Sequence, residues 1–333
     1  MKGPTELKKL KVVALAGGVG GAKLAVGLDH VLEPGNLTVI VNTGDDFEHF
    51  GLTICPDLDT VCYSLAGKAD SLHGWGLEDE SWQVAASLKE LKAPTWFQLG
   101  DRDLATHLER TRLLRIGWSL SKVTQHFCRM WGIRSWVLPM SNQPFRTMIR
   151  TKQGELLSFQ EYFVKDHFEP EIDKIIFEKA ADCEPEPSIL ERILNADLVV
   201  FCPSNPWVSL DPILSLPGVR EAIRKKTAIA VSPIIKGKTV KGPASKMFFE
   251  LGIEPSSRSV MEHYQDVLDG FIFDDQDAIL FQNEADARII KLSTNTLMKN
   301  VEDKINLANQ VLIFGSSLIV QARNHDDVGR CSS

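Results

Sequence analysis

In the stretch VVALAGGVGGAKLAVGL, four of the five residues Gly17–Gly21 are glycine, set between the apolar run Val12–Ala16 and a run of helical character. A glycine turn between a buried strand and a helix belongs where a ligand or a second backbone approaches closely. That favours folds in which strands feed helices through tight turns. The rest of the chain repeats the rhythm. Apolar, β-rich runs predict strands at Val12–Ala16, Leu37–Val41, Thr95–Leu99, Ser135–Leu138, Leu198–Cys202, Thr227–Val231 and Phe271–Phe273. Helical spacing separates them at Ala22–Leu32, Ser121–Trp131, Ser188–Asn195 and Pro217–Lys225, and Asp182–Ser188 reads as a loop. Strands that are apolar throughout, alternating with helices, point to a parallel sheet covered on both faces. The predicted fold is α/β: a doubly wound, mostly parallel, Rossmann-like sheet in one domain over residues 11–316. Residues 102–132 form a helical excursion, and residues 1–10 and 317–333 are expected to be flexible termini.

With 333 residues, 44% of them hydrophobic, the chain can bury a large core, and its net charge of −7 argues against nucleic acid or anionic lipid as partners. Its six cysteines form no CxxC pair and no zinc spacing, which fits reduced thiols in the cytoplasm. The run Val12–Ala16 is too short for a signal peptide, and no stretch reads as the roughly eighteen apolar residues of a membrane span. A cytoplasmic protein with no membrane partner is expected.

Polar residues gather after the predicted strands: Gly17–Gly21, Asn42–Gly51 with Asn42 and Thr43 at its head, Gly100–Asp103, Pro203–Pro206 and Ser232–Gly242. In open parallel sheets ligands bind outside the carboxyl ends of strands, so these clusters are expected to share one crevice, although each also suits an ordinary turn. The glycine loop matches neither a Walker A sequence nor a dinucleotide fingerprint, because Gly18 and Gly20 are followed by Lys23. It still offers backbone N–H groups at a helix N-terminus, with Lys23 near by, for a phosphate; the alternative is close strand–helix packing. Asp45, Asp46, Asp57, Asp59, Asp101 and Asp103 fall in short loops and would repel a phosphate unless a cation lay between. Oxygen ligands of this kind suit Mg²⁺, while helix capping competes for Asp59 and Asp103. His49, His73 and His107 lack ligand spacing and read as structural or substrate-facing. Lys236, Lys238, Lys241 and Lys246 read either as phosphate-facing or as a solvated surface. Trp75 and Trp207 are candidates to wall a planar ligand. With no Ser-His-Asp or Cys-His arrangement, these residues describe a Mg²⁺-assisted phosphoryl or nucleotidyl transferase.

The segments GGVGGAKL, VNTGDDFEHFGL, CPDLDTVCYSLAG, GWGLEDESW, LGDRDLATHLERT, LPMS, CPSNP and VSPIIKG…VKGPASKM resemble, in order from about Val12 to about Asp274, the 2-phospho-L-lactate transferase family of coenzyme F420 biosynthesis. The bacterial branch, phosphoenolpyruvate/2-phospholactate transferase, is the most similar. The resemblance implies a homodimeric Mg²⁺-dependent enzyme. Its donor is a guanosine diphospho-linked three-carbon acid (2-phospholactyl, enolpyruvyl or phosphoglyceryl), its acceptor the deazaflavin Fo, and its products GMP and a coenzyme F420-0-type phosphodiester. By the same analogy Gly17, Gly18, Gly20 and Lys23, with Ser204, Asn205, Pro206, Ser232, Pro233 and Lys236, hold the guanosine phosphates. Asp59 and Gln98 touch Fo, and Asp59 accepts the hydroxyl proton. Asp45 and Asp46 are the catalytic Mg²⁺ ligands, Asp101 and Asp103 are further ligands or acceptor contacts, and His107 is a substrate contact. Two departures are visible. Gln98 stands where relatives often carry a basic residue or glycine, and Asn142–Gln143 stand where an Asp pair is common. The competing expectation is a non-catalytic regulator that binds a nucleotide sugar, a distant branch that lacks CPDLDT and LGDRDLATH.

Overall fold

The computed structural model describes residues 4–70, 74–239, 244–282 and 288–330; His73 and Lys241 lie outside them. The strands are β1 Val12–Ala16, β2 Leu37–Val41, β3 Phe47–His49, β4 Leu52–Ile54, β5 Trp136–Pro139, β6 Arg146–Thr151, β7 Leu156–Ser158, β8 Ile172–Glu178, β9 Leu198–Phe201, β10 Ala228–Val231, β11 Ile234–Ile235, β12 Lys238–Thr239, β13 Gly270–Asp274 and β14 Ile290–Thr294. The principal sheet has seven strands in the order β14-β13-β10-β9-β1-β2-β5, and every neighbouring pair is parallel. Each residue of β1, β2, β9 and β10 is buried, as their unbroken apolar character requires. Successive side chains face opposite layers. Ala14, Val39 and Val200 join one core with Leu24, Val61 and Leu312, while Val13, Leu15, Ile40 and Phe201 join another with Ile193, Ile213 and Ile223.

The first half of the chain extends the sheet from β1 through β2 to β5; the second returns to the other side of β1 and extends it from β9 outward. The switch point therefore lies between β1 and β9. Register brings Ala16 level with Val41, and Leu15 with Phe201, so the loops after β1, β2 and β9 open on one edge. Helix α1 is Pro4–Leu7, and α2, Gly18–Val31, begins inside the glycine cluster, four residues earlier than its apolar spacing predicts. The next helices are α3 Pro56–Leu65, α4 Gln83–Glu90, α5 Asp101–Arg115 and α6 Leu120–Met130.

Some expectations need correction. Thr95–Leu99 is not a strand; Trp96 and Phe97 are held by ring packing, with centroids 5.7 and 4.8 Å from that of Phe47. The protein also has an antiparallel sheet, β7-β6-β8, where the apolar runs predict no strands, although β6 alternates buried Thr147, Ile149 and Thr151 with more exposed neighbours. The edge strand β14 was also missed, being only partly buried. Packing reaches into both presumed flexible termini: Leu7 and Leu10 are buried, and the C-terminal helix, Val301–Arg330, buries Leu318 and Ile319. Within that helix, Val301–Ala322 is long and apolar enough to cross a membrane by length and composition, contrary to the reading of the sequence. Half of its most apolar window is buried. Leu307, Ala308, Val311 and Leu312 pack into the core beside α2, which accounts for that apolarity.

Candidate active site

A cavity of about 710 Å³ opens at the switch point. Gly17, Gly18, Gly20 and Lys23 form its floor, and Ser204, Asn205, Ser232 and Pro233 border it from the loops after β9 and β10. Gly18 sits at φ +60°, a left-handed conformation that glycine adopts without penalty. The Ser204 hydroxyl ties the two loops together: it accepts from the Gly17 N–H at 3.1 Å and donates to the Gly17 carbonyl at 2.8 Å. The N-terminus of α2 thus faces the cavity with its partial positive charge. Lys23 also lines the floor, its ammonium donating to the Met298 carbonyl at 2.8 Å. Trp75, Trp96 and Phe97 line part of the wall. Phe159, Phe163 and Phe168 line another part, stacked at 5.7 and 6.0 Å.

Asp45 and Asp57 face the cavity beside the glycine turn. Asn42 donates to Asp57 Oδ2 at 2.9 Å, which makes Asn42 a support for this carboxylate rather than part of the wall. Burial pushes the Asp57 carboxyl up to about 6; hydrogen bonds from Asn42 and the Gly18 N–H oppose the shift. Burial, then repulsion from Asp57 and Asp46, raises Asp45 well above the carboxylate range. Burial raises Asp46 to about 7. Asp46 lies off the wall, toward Cys55, and Thr43 is buried and off the wall as well. Asp45 Oδ1 and Asp46 Oδ1 are buried without a hydrogen-bond partner. Partnerless buried carboxylate oxygens that repel one another fit a hard divalent cation.

A pH dependence follows. For carboxyls whose folded pKa is raised, the folded state binds more protons than the unfolded one between about pH 4 and pH 7. Their contribution to stability therefore falls as pH rises through that window. In EDTA, Asp46→Asn is expected to flatten this decline, and Mg²⁺ should raise the wild-type Tm more at pH 7.5 than at pH 5. Thermal melts at both pH values test this. An equal Mg²⁺ effect at both would remove these carboxyls as its source.

Asp59 of α3 faces the cavity farther along, and both its oxygens accept from Arg110 of α5: Oδ2 from Nη1 at 3.0 Å, Oδ1 from Nη2. Burial works against the Arg110 charge, but Asp59 outweighs it and raises the guanidinium well above its ordinary value. Arg110 Nη1 also lies 3.1 Å from His107 Nδ1. A guanidinium only donates, so Nδ1 is the acceptor and the ring proton sits on Nε2. Nε2 is 3.2 Å from Asp103 Oδ2. The Tyr63 hydroxyl donates to Asp103 Oδ1 at 2.6 Å. Burial raises the Asp103 carboxyl, but His107 and Tyr63 outweigh it and hold it below the usual range. Sequence reasoning passed over Arg110 and Tyr63. Asp103, His107 and Arg110 recur at i, i+4 and i+7, one stripe of a helix, and that polar stripe was the available signal.

Gln98 is on the wall. Asp101 is not. Its carboxylate accepts from the Ser81 hydroxyl at 2.6 Å and from the N–H groups of Gln83 and Val84, at the start of α4. Glu80 returns the arrangement by accepting from the N–H groups of Arg102 and Asp103 at 2.8 and 2.7 Å. Asp101→Ala is accordingly expected to lower Tm slightly, through the lost capping of α4, with little change in turnover; melting and rate measurements separate the two. Lys236 is exposed, with its N–H donated to Asp277 at 2.9 Å, and Pro206 begins the buried turn after Asn205; both lie off the wall. Lys246 is engaged with Glu250 and the Pro170 carbonyl, and Trp207 packs on His263, so neither faces the cavity.

The protein is an α/β enzyme of the doubly wound class, with its cavity where that class receives ligands. The chain belongs to the 2-phospho-L-lactate transferase CofD family, whose model matches residues 12–301. It is 41% identical over 317 residues to the phosphoenolpyruvate transferase of Kitasatospora aureofaciens, covering 93% of this chain and 99% of that one. It is 40% identical over 266 residues to the 2-phospho-L-lactate transferase of Methanosarcina mazei, covering 80% and 88%. A crystal structure of a UPF0052-family protein from Bacillus halodurans matches with a TM-score of 0.59 at 17% identity, over 92% of this chain and 99% of that one; this likeness concerns the fold alone.

Proposed function

We propose that the protein transfers a phospho-linked three-carbon acid from a guanosine diphospho donor to the deazaflavin Fo, releasing GMP, and that it works as a cytoplasmic homodimer. The observation that carries this reading is a single cavity joining the N-terminus of α2, the partnerless Asp45 oxygen and the Asp59–Asp103–His107 wall. The glycine turn, locked by Ser204, and Lys23 would bind the donor phosphates. The acceptor would lie toward Gln98 and Asp59. Its terminal ribityl hydroxyl attacks the phosphorus bonded to the acid, the new O–P bond forms as the bond to GMP breaks, and Asp59 accepts the hydroxyl proton. Asp45 would hold Mg²⁺, with Asp57 facing the same space and Asp46 behind them. When bound, the ion neutralises charge on the phosphoryl oxygens. The protein's own part is positioning and fixed electrostatics, since phosphoryl-type transfer leaves little covalent work for side chains.

The test is a mass-spectrometric assay of purified protein with Mg²⁺, Fo and the lactyl, enolpyruvyl and glyceryl donors in parallel. A deazaflavin product formed together with GMP is expected, and its mass identifies the acid. Absence of product from every donor, with the protein folded, would overturn the reading.

A further inference from the structure

Asp59, Asp103 and His107 bring ligand atoms within 4.8 Å of one another, the spacing of a metal site. The cation at this cluster, however, belongs to the chain. The guanidinium of Arg110 takes both Asp59 oxygens, lies 3.1 Å from His107 Nδ1 and reaches the Thr53 carbonyl at 3.4 Å. Its Cζ lies 5.9 Å from the centre of the Phe127 ring. Arg110 is 3% exposed and does not line the cavity, whereas Asp59 does. The contacts to Asp59 and to His107 Nδ1 occupy lone pairs that a metal at this cluster would use. The pair is also directional, because a planar fork bonded to both oxygens fixes the carboxylate plane of a residue that lines the cavity.

We propose that Arg110 is a positioning residue for the transfer: its guanidinium stands where a further metal ion would, and it aims the Asp59 carboxylate at the acceptor hydroxyl. This rests on the role given to Asp59 above. The same fork touches His107 Nδ1 at 3.1 Å, but the role proposed for it runs through the Asp59 carboxylate. Lysine cannot substitute, because one ammonium does not hold two carboxylate oxygens and an imidazole in a fixed plane.

The experiment compares wild type, Arg110→Lys, Arg110→Met, Asp59→Asn and the double variant Asp59→Asn/Arg110→Met, each full-length with Mg²⁺, Fo and donor. For Arg110→Met, kcat should fall about 100-fold, the scale of a lost orienting partner, while the donor KM stays within about threefold. Arg110→Lys should lose about tenfold in kcat and keep its fold. The double variant should be no slower than Asp59→Asn within about threefold, because the arginine acts through that carboxylate. If Arg110→Met does not fold, the lysine variant, alone and combined with Asp59→Asn, carries the same comparison. Wild-type kcat in Arg110→Lys, or additive losses in the double variant, would overturn the proposal. Absence of wild-type turnover would overturn the proposed function and this role with it, which separates that failure from one seen only in the variants.

Discussion

Asp45→Ala is expected to lower turnover by about 10³-fold, the scale of losing one fixed electrostatic group at a reacting centre, while the protein stays folded. The two halves of this result have one cause. Asp45 is 5% exposed, its Oδ1 has no partner, and burial with the nearby Asp57 and Asp46 disfavours its charge. Removing a charge held at a cost relieves the fold, so the Tm without Mg²⁺ should be unchanged or higher. The same carboxylate is the one most in need of a cation, so the Mg²⁺-induced rise in Tm should shrink sharply in the variant. Rate and melting curves with and without Mg²⁺ measure both effects. Wild-type activity with Mg²⁺ would remove Asp45 from the site. A large fall in Tm without Mg²⁺ would make its role structural instead.

The sheet was readable because β1, β2, β9 and β10 are apolar at every position and end in polar turns. Composition also misled: TWFQL has the content of a strand, but its rings pack on Phe47 and His49, and no ladder forms. The acids show a second limit. Asp101 and Asp103 are two residues apart on α5, about 200° around the helix, so one caps α4 while the other meets Tyr63 and His107. Asp57 and Asp59 diverge in the same way on α3, toward the glycine turn and toward Arg110. Sequence identified the acidic clusters, but which acid faces the ligand depends on where each helix begins and what packs on it. The Asp59–Arg110 pair spans 51 positions and had no local signature.

The glycine cluster supplies the second large effect, and its members do different work. Gly18 needs its positive φ, whereas Gly20 needs space: a Cβ there would lie 2.1 Å from the Pro203 carbonyl oxygen and 3.3 Å from its carbon. Both are backbone atoms, so no rotamer change relieves the contact. Two terms oppose each other in Gly20→Ala. Alanine improves helix propensity by about 1 kcal/mol at a helical position, and overpacking costs about 1–3 kcal/mol, or more where the backbone itself must move. An overlap this deep puts the second term ahead, giving a fall in Tm of roughly 5 °C. The loop after β9 must retreat from α2, drawing the Ser204 hydroxyl off the Gly17 backbone and opening the anion cradle. Donor KM should therefore rise at least about tenfold, the cost of roughly one charge-assisted hydrogen bond. Melting and steady-state kinetics on the purified variant measure the two losses separately. If Tm and donor KM both match wild type, the Pro203 loop yields at no cost, and close approach is not what this glycine serves. If Tm falls while KM holds, the turn packs the strand against its helix, and the donor phosphates are bound elsewhere.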